Sequence, residues 1–316
     1  MSQHAEYDRL VEASPQGSLF SSSWWLDAVA PGGWSPNGLV EDGEMVAAWP
    51  TVVRRGRFGV EHGGAPLTPW LGPLFGPDLR RSSEDEVTGR LLAGIGRYAQ
   101  LAARCSPAYD YWTPLYWRGF TQTTRYTWRI DDLSDLEASF ARLRNKVRGA
   151  VRRGEREGLS VQPGTLDDLL AIHSDTLERQ NRSGDRAGRQ ALRRLDPAAA
   201  ERDARSILVA RDGEGRAAAA GYFVFDHRST YYLLGGISAT AASPYAVPLL
   251  LWTAIQQAAA RNTMFDFEGS MLRPIELLVR GFGGEPVPYS VVRHTPSLPL
   301  RGAIALKRSA GRLGSR

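Results

Sequence analysis

The sequence is poor in the residues that most often advertise chemistry. Its one cysteine, Cys105, excludes an internal disulfide and any cysteine-rich metal site. Only Arg104 offers it a nearby cation, so a structural role is expected rather than an activated thiolate. The five histidines, His4, His62, His173, His227 and His294, fall at no metal-ligand spacing. No Walker loop is present, no Gly-x-Gly-x-x-Gly opens a helix after a strand, and no Gly-x-Ser-x-Gly elbow occurs. Phosphate-cradling nucleotide loops and serine-hydrolase chemistry are thereby disfavoured. No apolar run is long enough to span a bilayer, and the polar stretch Met1 to Arg9 has no apolar signal core behind it. The expected location is cytoplasmic, with no membrane span.

What remains is a globular composition: 42% hydrophobic and 23% charged over 316 residues, enough for two domains. The net charge of +5 comes almost wholly from arginine and favours an anionic partner such as a nucleotide, a coenzyme or tRNA. An arginine-rich composition with no particular partner explains the same number.

The first part of the chain is rich in Trp, Gly and Pro. Ser21-Ser22-Ser23 before Trp24-Trp25 reads as a serine-capped helix start. The turn Glu41-Asp42-Gly43-Glu44 joins two strands of a hairpin. Pro66 to Pro73 is a loop, since proline removes donors and glycine frees the backbone. Apolar spacing predicts a helix over Glu84–Arg104 and another over Leu133–Gly158, the latter with Leu136, Phe140, Leu143, Val147 and Val151 on one stripe. Arg148, Arg152 and Arg153 stand on the rest of that helix, where acids are nearly absent. They are candidate phosphate contacts, against the ordinary reading of a solvated charged face.

The second half alternates as strands and helices do in α/β and α+β chains. Ser206–Arg211, Ala217–Phe225 and Thr230–Ile237 read as strands, Pro248–Arg261 as an apolar helix, and Met264–Glu268 as a further strand. In that last strand Asp266 and Glu268 share one face and Phe265 and Phe267 the other. Unpaired carboxylates are costly to bury, so a strand carrying two of them marks a candidate site. Glu276 lies one helical turn before Arg280 and is expected to pair with it. The tail, residues 296–316, is basic and reads as disordered or as an anion-binding arm.

The ordered set Ser22-Ser23-Trp24-Trp25-Leu26, Thr68-Pro69-Trp70-Leu71-Gly72-Pro73, Arg144-Asn145-Lys146-Val147-Arg148 with Gly158, and Asp266 to Arg280 with Gly281-Phe282-Gly283 resembles the FemABX-like branch of the GNAT superfamily. The resemblance spans roughly Leu19 to Tyr289. It implies an α+β fold of two tandem GNAT-like domains, each a mixed, mostly antiparallel sheet flanked by helices. The expected extents are residues 1–140 and 141–290, with a basic tail over 291–316 that packs back on the first domain or stays apart. It implies an acyltransferase that forms an amide by passing an aminoacyl group from aminoacyl-tRNA to a small amine or a peptide. The alternatives are an acyl-CoA-dependent N-acyltransferase and a non-catalytic GNAT-like binding protein.

In Fem-type enzymes a lysine before the Gly-Phe-Gly-like turn is thought to stabilise the acyl carbonyl oxygen, and Arg280 stands at the matching position. The resemblance thus casts Arg280, Asp266 and Glu268 as catalytic candidates. Trp70, Tyr232, Tyr245, Ser270 and Glu276 become candidate substrate contacts. No cofactor or metal is implied beyond the co-substrate. The usual GNAT pyrophosphate loop has no counterpart in Ser238 to Tyr245, which tilts the donor toward charged tRNA over acyl-CoA. Oligomeric state is left open.

Overall fold

The computed structural model describes residues 3–179, 186–240, 243–261, 263–269 and 273–313. The chain folds as two compact units, Met1–Arg125 with Pro288–Arg316, and Tyr126–Val287. The boundary lies at Arg125/Tyr126 rather than at residue 140, and the tail from Pro288 groups with the first unit.

Unit 1 opens with α1 (Gln3–Ala13) and α2 (Ser23–Val29). Then come β1 (Trp34–Ser35), β2 (Gly38–Glu41), β3 (Glu44–Ala48), β4 (Thr51–Gly56), β5 (Gly59–Gly63) and β6 (Leu74–Phe75). α3 (Glu84–Ile95), β7 (Gln100–Arg104) and α4 (Thr113–Trp117) follow. The serines before α2 do not cap it with their own side chains. Instead the Ser23 amide and hydroxyl both donate to the Asp8 carboxylate on α1, at 2.7 and 2.5 Å. The β2–β3 hairpin turns through Asp42 and Gly43, both at positive φ (50° and 83°), the geometry that matches strand twist. The helix expected over Glu84–Arg104 stops at Ile95, because Gly96 at φ 76° ends it and Leu101 is spent on β7.

The Pro66–Pro73 loop runs beside β7. The Leu71 amide donates to the Arg104 carbonyl at 2.8 Å, and a Cβ at Gly72 would meet the Cys105 backbone at 2.9 Å. Cys105 is fully buried, and burial pushes its thiol pKa up, as an inert core residue requires.

Unit 2 takes in β8 (Thr121–Ile130) from Tyr126 onward, then α5 (Leu136–Arg142), α6 (Asn145–Arg156), β9 (Ser160–Pro163), α7 (Leu166–Arg179) and α8 (Arg186–Glu201). β10 (Arg205–Arg211), β11 (Ala217–Phe225), β12 (Ser229–Ile237), α9 (Ala246–Ala260), β13 (Met264–Asp266) and α10 (Arg273–Arg280) complete it. β14 (Glu285–His294) leads back to unit 1, where α11 (Leu298–Leu313) ends the described chain.

In unit 1 the strands run β1-β4-β5-β7-β14, antiparallel except for β5 with β7; β2, β3 and β6 form a separate antiparallel sheet. In unit 2 they run β8-β13-β12-β11-β10-β9, antiparallel except for β12 with β13. Both units are therefore α+β, each with a mixed, mostly antiparallel sheet and flanking helices.

The single helix expected over Leu133–Gly158 is two. α5 and α6 are separated by Leu143 and Arg144, whose ψ angles of 136° and 145° are extended. Two anchors hold the break: the Arg144 amide donates to the Gly281 carbonyl at 2.9 Å, and Leu143 is buried. The α7 start is capped reciprocally. The Thr165 hydroxyl accepts from the Asp168 amide at 3.1 Å, and the Asp168 carboxylate accepts from the Thr165 amide at 3.0 Å.

Candidate functional site

β12 and β13 pair in parallel only through Ser229–Tyr231 and Met264–Asp266. Beyond Tyr231, β12 runs on to Ile237 while β13 has already ended. This corrects the expectation of a strand to Glu268 with both acids on one face. Asp266 closes β13, and Glu268 sits in an irregular, bulge-like step beyond it at φ 52°, a region unfavourable for a residue with a Cβ, while the chain continues alongside β8.

Several contacts hold that irregular step. The Thr127 hydroxyl donates to the Asp266 carboxylate at 2.5 Å and accepts from the Gly269 amide at 3.1 Å. The same carboxylate accepts from the Glu268 amide at 2.8 Å, and the Phe267 amide donates to the Trp128 carbonyl at 2.9 Å. Gly269 is required by contact, since a Cβ there would lie 1.8 Å from the Tyr126 carbonyl oxygen. Asp266 is 1% exposed and Thr127 fully buried, whereas Glu268 is only half-buried. Burial pushes the Asp266 carboxyl up to about 6, against the opposing pull of the Thr127 hydroxyl, the Glu268 amide and Arg129.

Arg280 ends α10. Its guanidinium lies 3.8 Å from the Glu276 carboxylate, one turn back, and 5.9 Å above the Trp128 ring. Trp128 thus serves both halves of the arrangement: its carbonyl holds the Phe267–Gly269 segment and its ring faces the cation. The α10–β14 turn is fixed from beneath by buried Val279 and Phe282. At Gly281 a Cβ would meet the Val147 side chain at 2.5 Å, and Gly283 takes φ 76°. Arg280 and Glu276 form the expected pair, both partly exposed; among the described residues Arg280 makes no ion pair with Asp266.

The remaining candidates disperse. Tyr232 stacks on Phe223 at 5.4 Å, and burial holds its phenol neutral, with a pKa raised to about 12. Tyr245 stands at the α9 N-terminus beneath the Arg153 guanidinium, 5.4 Å from its ring. Arg153 also pairs with Glu157 at 3.1 Å, and Arg152 lies 5.3 Å over Phe140. Arg148 is committed locally. It donates to the Ala141 and Leu143 carbonyls and to Asn145, tying the end of α5 to α6. Trp70 belongs to unit 1, buried against Phe20 and Tyr289. Ser270 lies outside the described residues.

Thr127, Trp128 and Gly269 carry more of the site than the sequence suggested. Nothing in the sequence pairs β8 with β13.

At the mouth of α9 the Ala246 amide donates to the Ser243 carbonyl at 3.2 Å, the Tyr245 amide faces the Ser243 hydroxyl at 3.3 Å, and Pro248 has no amide hydrogen. Among the described residues no group of three or more His, Cys, Asp or Glu could hold a metal.

Residues 141–272 match the acetyltransferase (GNAT) domain family. No curated protein matches the chain significantly. Among solved structures, FemX aligns over 96% of this chain and 98% of its own, with a TM-score of 0.71 and 13% identity. The C-terminal domain (DUF2156) of a putative lysylphosphatidylglycerol synthetase from Agrobacterium fabrum aligns over 98% and 97%, with a TM-score of 0.60 and 13% identity. A tandem GNAT protein from the clavulanic acid biosynthesis pathway aligns over 92% and 93%, with a TM-score of 0.53 and 13% identity. At these identities the structural likenesses establish the fold, that of tandem GNAT proteins. Together with the domain match they support the FemABX-like GNAT resemblance drawn from the sequence.

Proposed function

On a chain whose residues 141–272 match the GNAT acyltransferase domain and whose fold is that of FemX, we propose an aminoacyltransferase that moves an aminoacyl group from aminoacyl-tRNA to an amine, forming an amide. The acceptor amine attacks the ester carbonyl. A C–N bond forms, the ester C–O bond breaks, and the terminal ribose hydroxyl leaves. Arg280 supplies charge to the developing oxyanion, the kind of stabilisation that catalyses acyl transfer without a protein nucleophile. Glu268, the more exposed of the two acids, orients the acceptor ammonium and takes its proton, which frees the neutral amine to attack. Asp266 is a positioning residue, fixing the irregular step that presents Glu268.

The observation that carries the choice of donor is the mouth of α9. A pyrophosphate at a helix start needs a row of open backbone amides. Here the Ala246 amide is engaged, Pro248 offers none, and the bulky Tyr245 with Arg153 above it occupies the capping position. That is a poor cradle for coenzyme A. On α6, Arg148 and Arg153 are engaged locally, which leaves Lys146 and Arg152, in a stretch with no acid from Lys146 to Arg153, as the support for an extended phosphodiester.

The test incubates the protein with a pool of charged tRNAs and candidate amines and reads product mass. An aminoacylated amine that requires intact charged tRNA supports the proposal. Saturable thermal stabilisation by acetyl-CoA, with acyl transfer from CoA thioesters alone, overturns it.

A further inference from the structure

A second feature lies wholly in unit 1. The described chain ends in α11, which is anchored by buried Leu300 and by the Arg301 amide donating to the Ser297 carbonyl at 3.0 Å. Two leucines on this helix face outward, Leu298 at 72% exposure and Leu306 at 75%. They stand about 12 Å apart along the axis at 1.5 Å per residue. Beside the helix is a cavity of about 410 Å³, lined by Gly119, Thr121, Arg293, Thr295 and Arg301, with Ile304 and Ala305. Two arginines and two threonines line it and no acid does. Arg301 is held in place by donating to the Thr295 carbonyl, and Thr121 donates to the Arg293 carbonyl at 3.2 Å. Gly119 comes two residues after α4, which exposes Tyr116 and Trp117 at 62% and 61%. These four are the most exposed large apolar side chains among the described residues.

We propose that this surface docks on an anionic phospholipid bilayer, with Leu298, Leu306, Tyr116 and Trp117 entering the interface and the Arg293–Arg301 cavity receiving lipid phosphate. Three features single out this occupant. From Pro286 to Arg316 the sequence has no acid and carries Arg293, Arg301, Lys307, Arg308, Arg312 and Arg316, so the segment complements a negative surface. Exposed leucines beside cations, together with tyrosine and tryptophan, are the composition of helices that lie in the headgroup region. A 16-residue helix spans about 24 Å, short of a hydrocarbon core of roughly 30 Å, so it lies on the membrane and does not cross it. RNA would use the cations and leave the leucines in water. A second copy of the chain would bring like charge against like charge.

The experiment floats the full chain with vesicles of phosphatidylcholine alone and of phosphatidylcholine with phosphatidylglycerol. The protein should float with the anionic vesicles only, and less so as salt rises. Leu298→Ser with Leu306→Ser should weaken binding about tenfold or more. Trp117→Ser, on a separate element, should weaken it in the same direction. Arg293→Gln and Arg301→Gln should each cost about fivefold. Unchanged thermal midpoints would show that these exposed substitutions leave the fold intact. Equal flotation with neutral vesicles, no flotation with either, or leucine variants that bind as the parent does would overturn the proposal. So would capture of RNA, or leucine-dependent dimerisation, by a protein that ignores vesicles.

Discussion

The two halves of the candidate site are built on opposite principles. Around Asp266 every group is fixed several times over: a buried carboxylate, a buried hydroxyl, two amides and a glycine that tolerates no Cβ. Around Arg280 little is fixed beyond an exposed pairing with Glu276 and the ring of Trp128. Under the proposed function, the contrast separates what the fold needs from what the chemistry would draw on. A group locked into the core positions others, whereas a partly exposed cation on a fixed turn keeps its donors available for an incoming oxygen. Substitutions in the first half should therefore act on stability, and substitutions in the second on turnover.

The largest expected effect is at Gly269. Replacing it with alanine forces a Cβ into the Tyr126 carbonyl and should displace the 267–269 segment from β8, costing about 3 kcal/mol or more in a denaturant titration. Parental stability in the Gly269→Ala variant would show that this segment is looser than described. Next comes Arg280→Ala, expected to lower kcat about 100-fold while leaving the thermal midpoint unchanged, because an exposed ion pair adds little stability. Arg280→Lys should recover part of that loss.

A smaller, pH-dependent effect belongs to Asp266. Its carboxyl ionises near 6 in the folded chain and near its ordinary value of 3.8 when unfolded. The folded state therefore binds the extra proton in between, and stability falls as pH rises from about 4 to about 6. Asp266→Asn keeps an oxygen acceptor for Thr127 and the Glu268 amide, so it should flatten that slope in melts taken across the window. A slope unchanged by the substitution would assign the titration elsewhere. Smallest of all, Glu276→Gln should shift stability by less than about 0.5 kcal/mol, and that shift should vanish in high salt.

The legibility of the sequence follows the same contrast. Periodicity located β10, β11, β12 and α9 to within about two residues, because each buries a continuous apolar face. It overran α3, where Gly96 outweighs the apolar spacing, and it fused α5 with α6, whose break is set by a contact with Gly281 far along the chain. Alternation placed Asp266 and Glu268 on one strand face, yet the irregular step after Asp266 is held by Thr127, 139 residues earlier. The Arg280–Glu276 pair was legible because helix spacing alone determines it. The arginines of α6 were legible as charge but not as partners; Arg148 proves to be a clamp on α5, a role set by how the two helices meet.

The most direct test of the account is transfer of a labelled amino acid from charged tRNA to a pool of amines, comparing the parent chain with Arg280→Ala. The account predicts an amide product that depends on the charged tRNA and falls about 100-fold in the variant, with the fold intact. Equal product from both proteins, or product formed from CoA thioesters and not from charged tRNA, would contradict it.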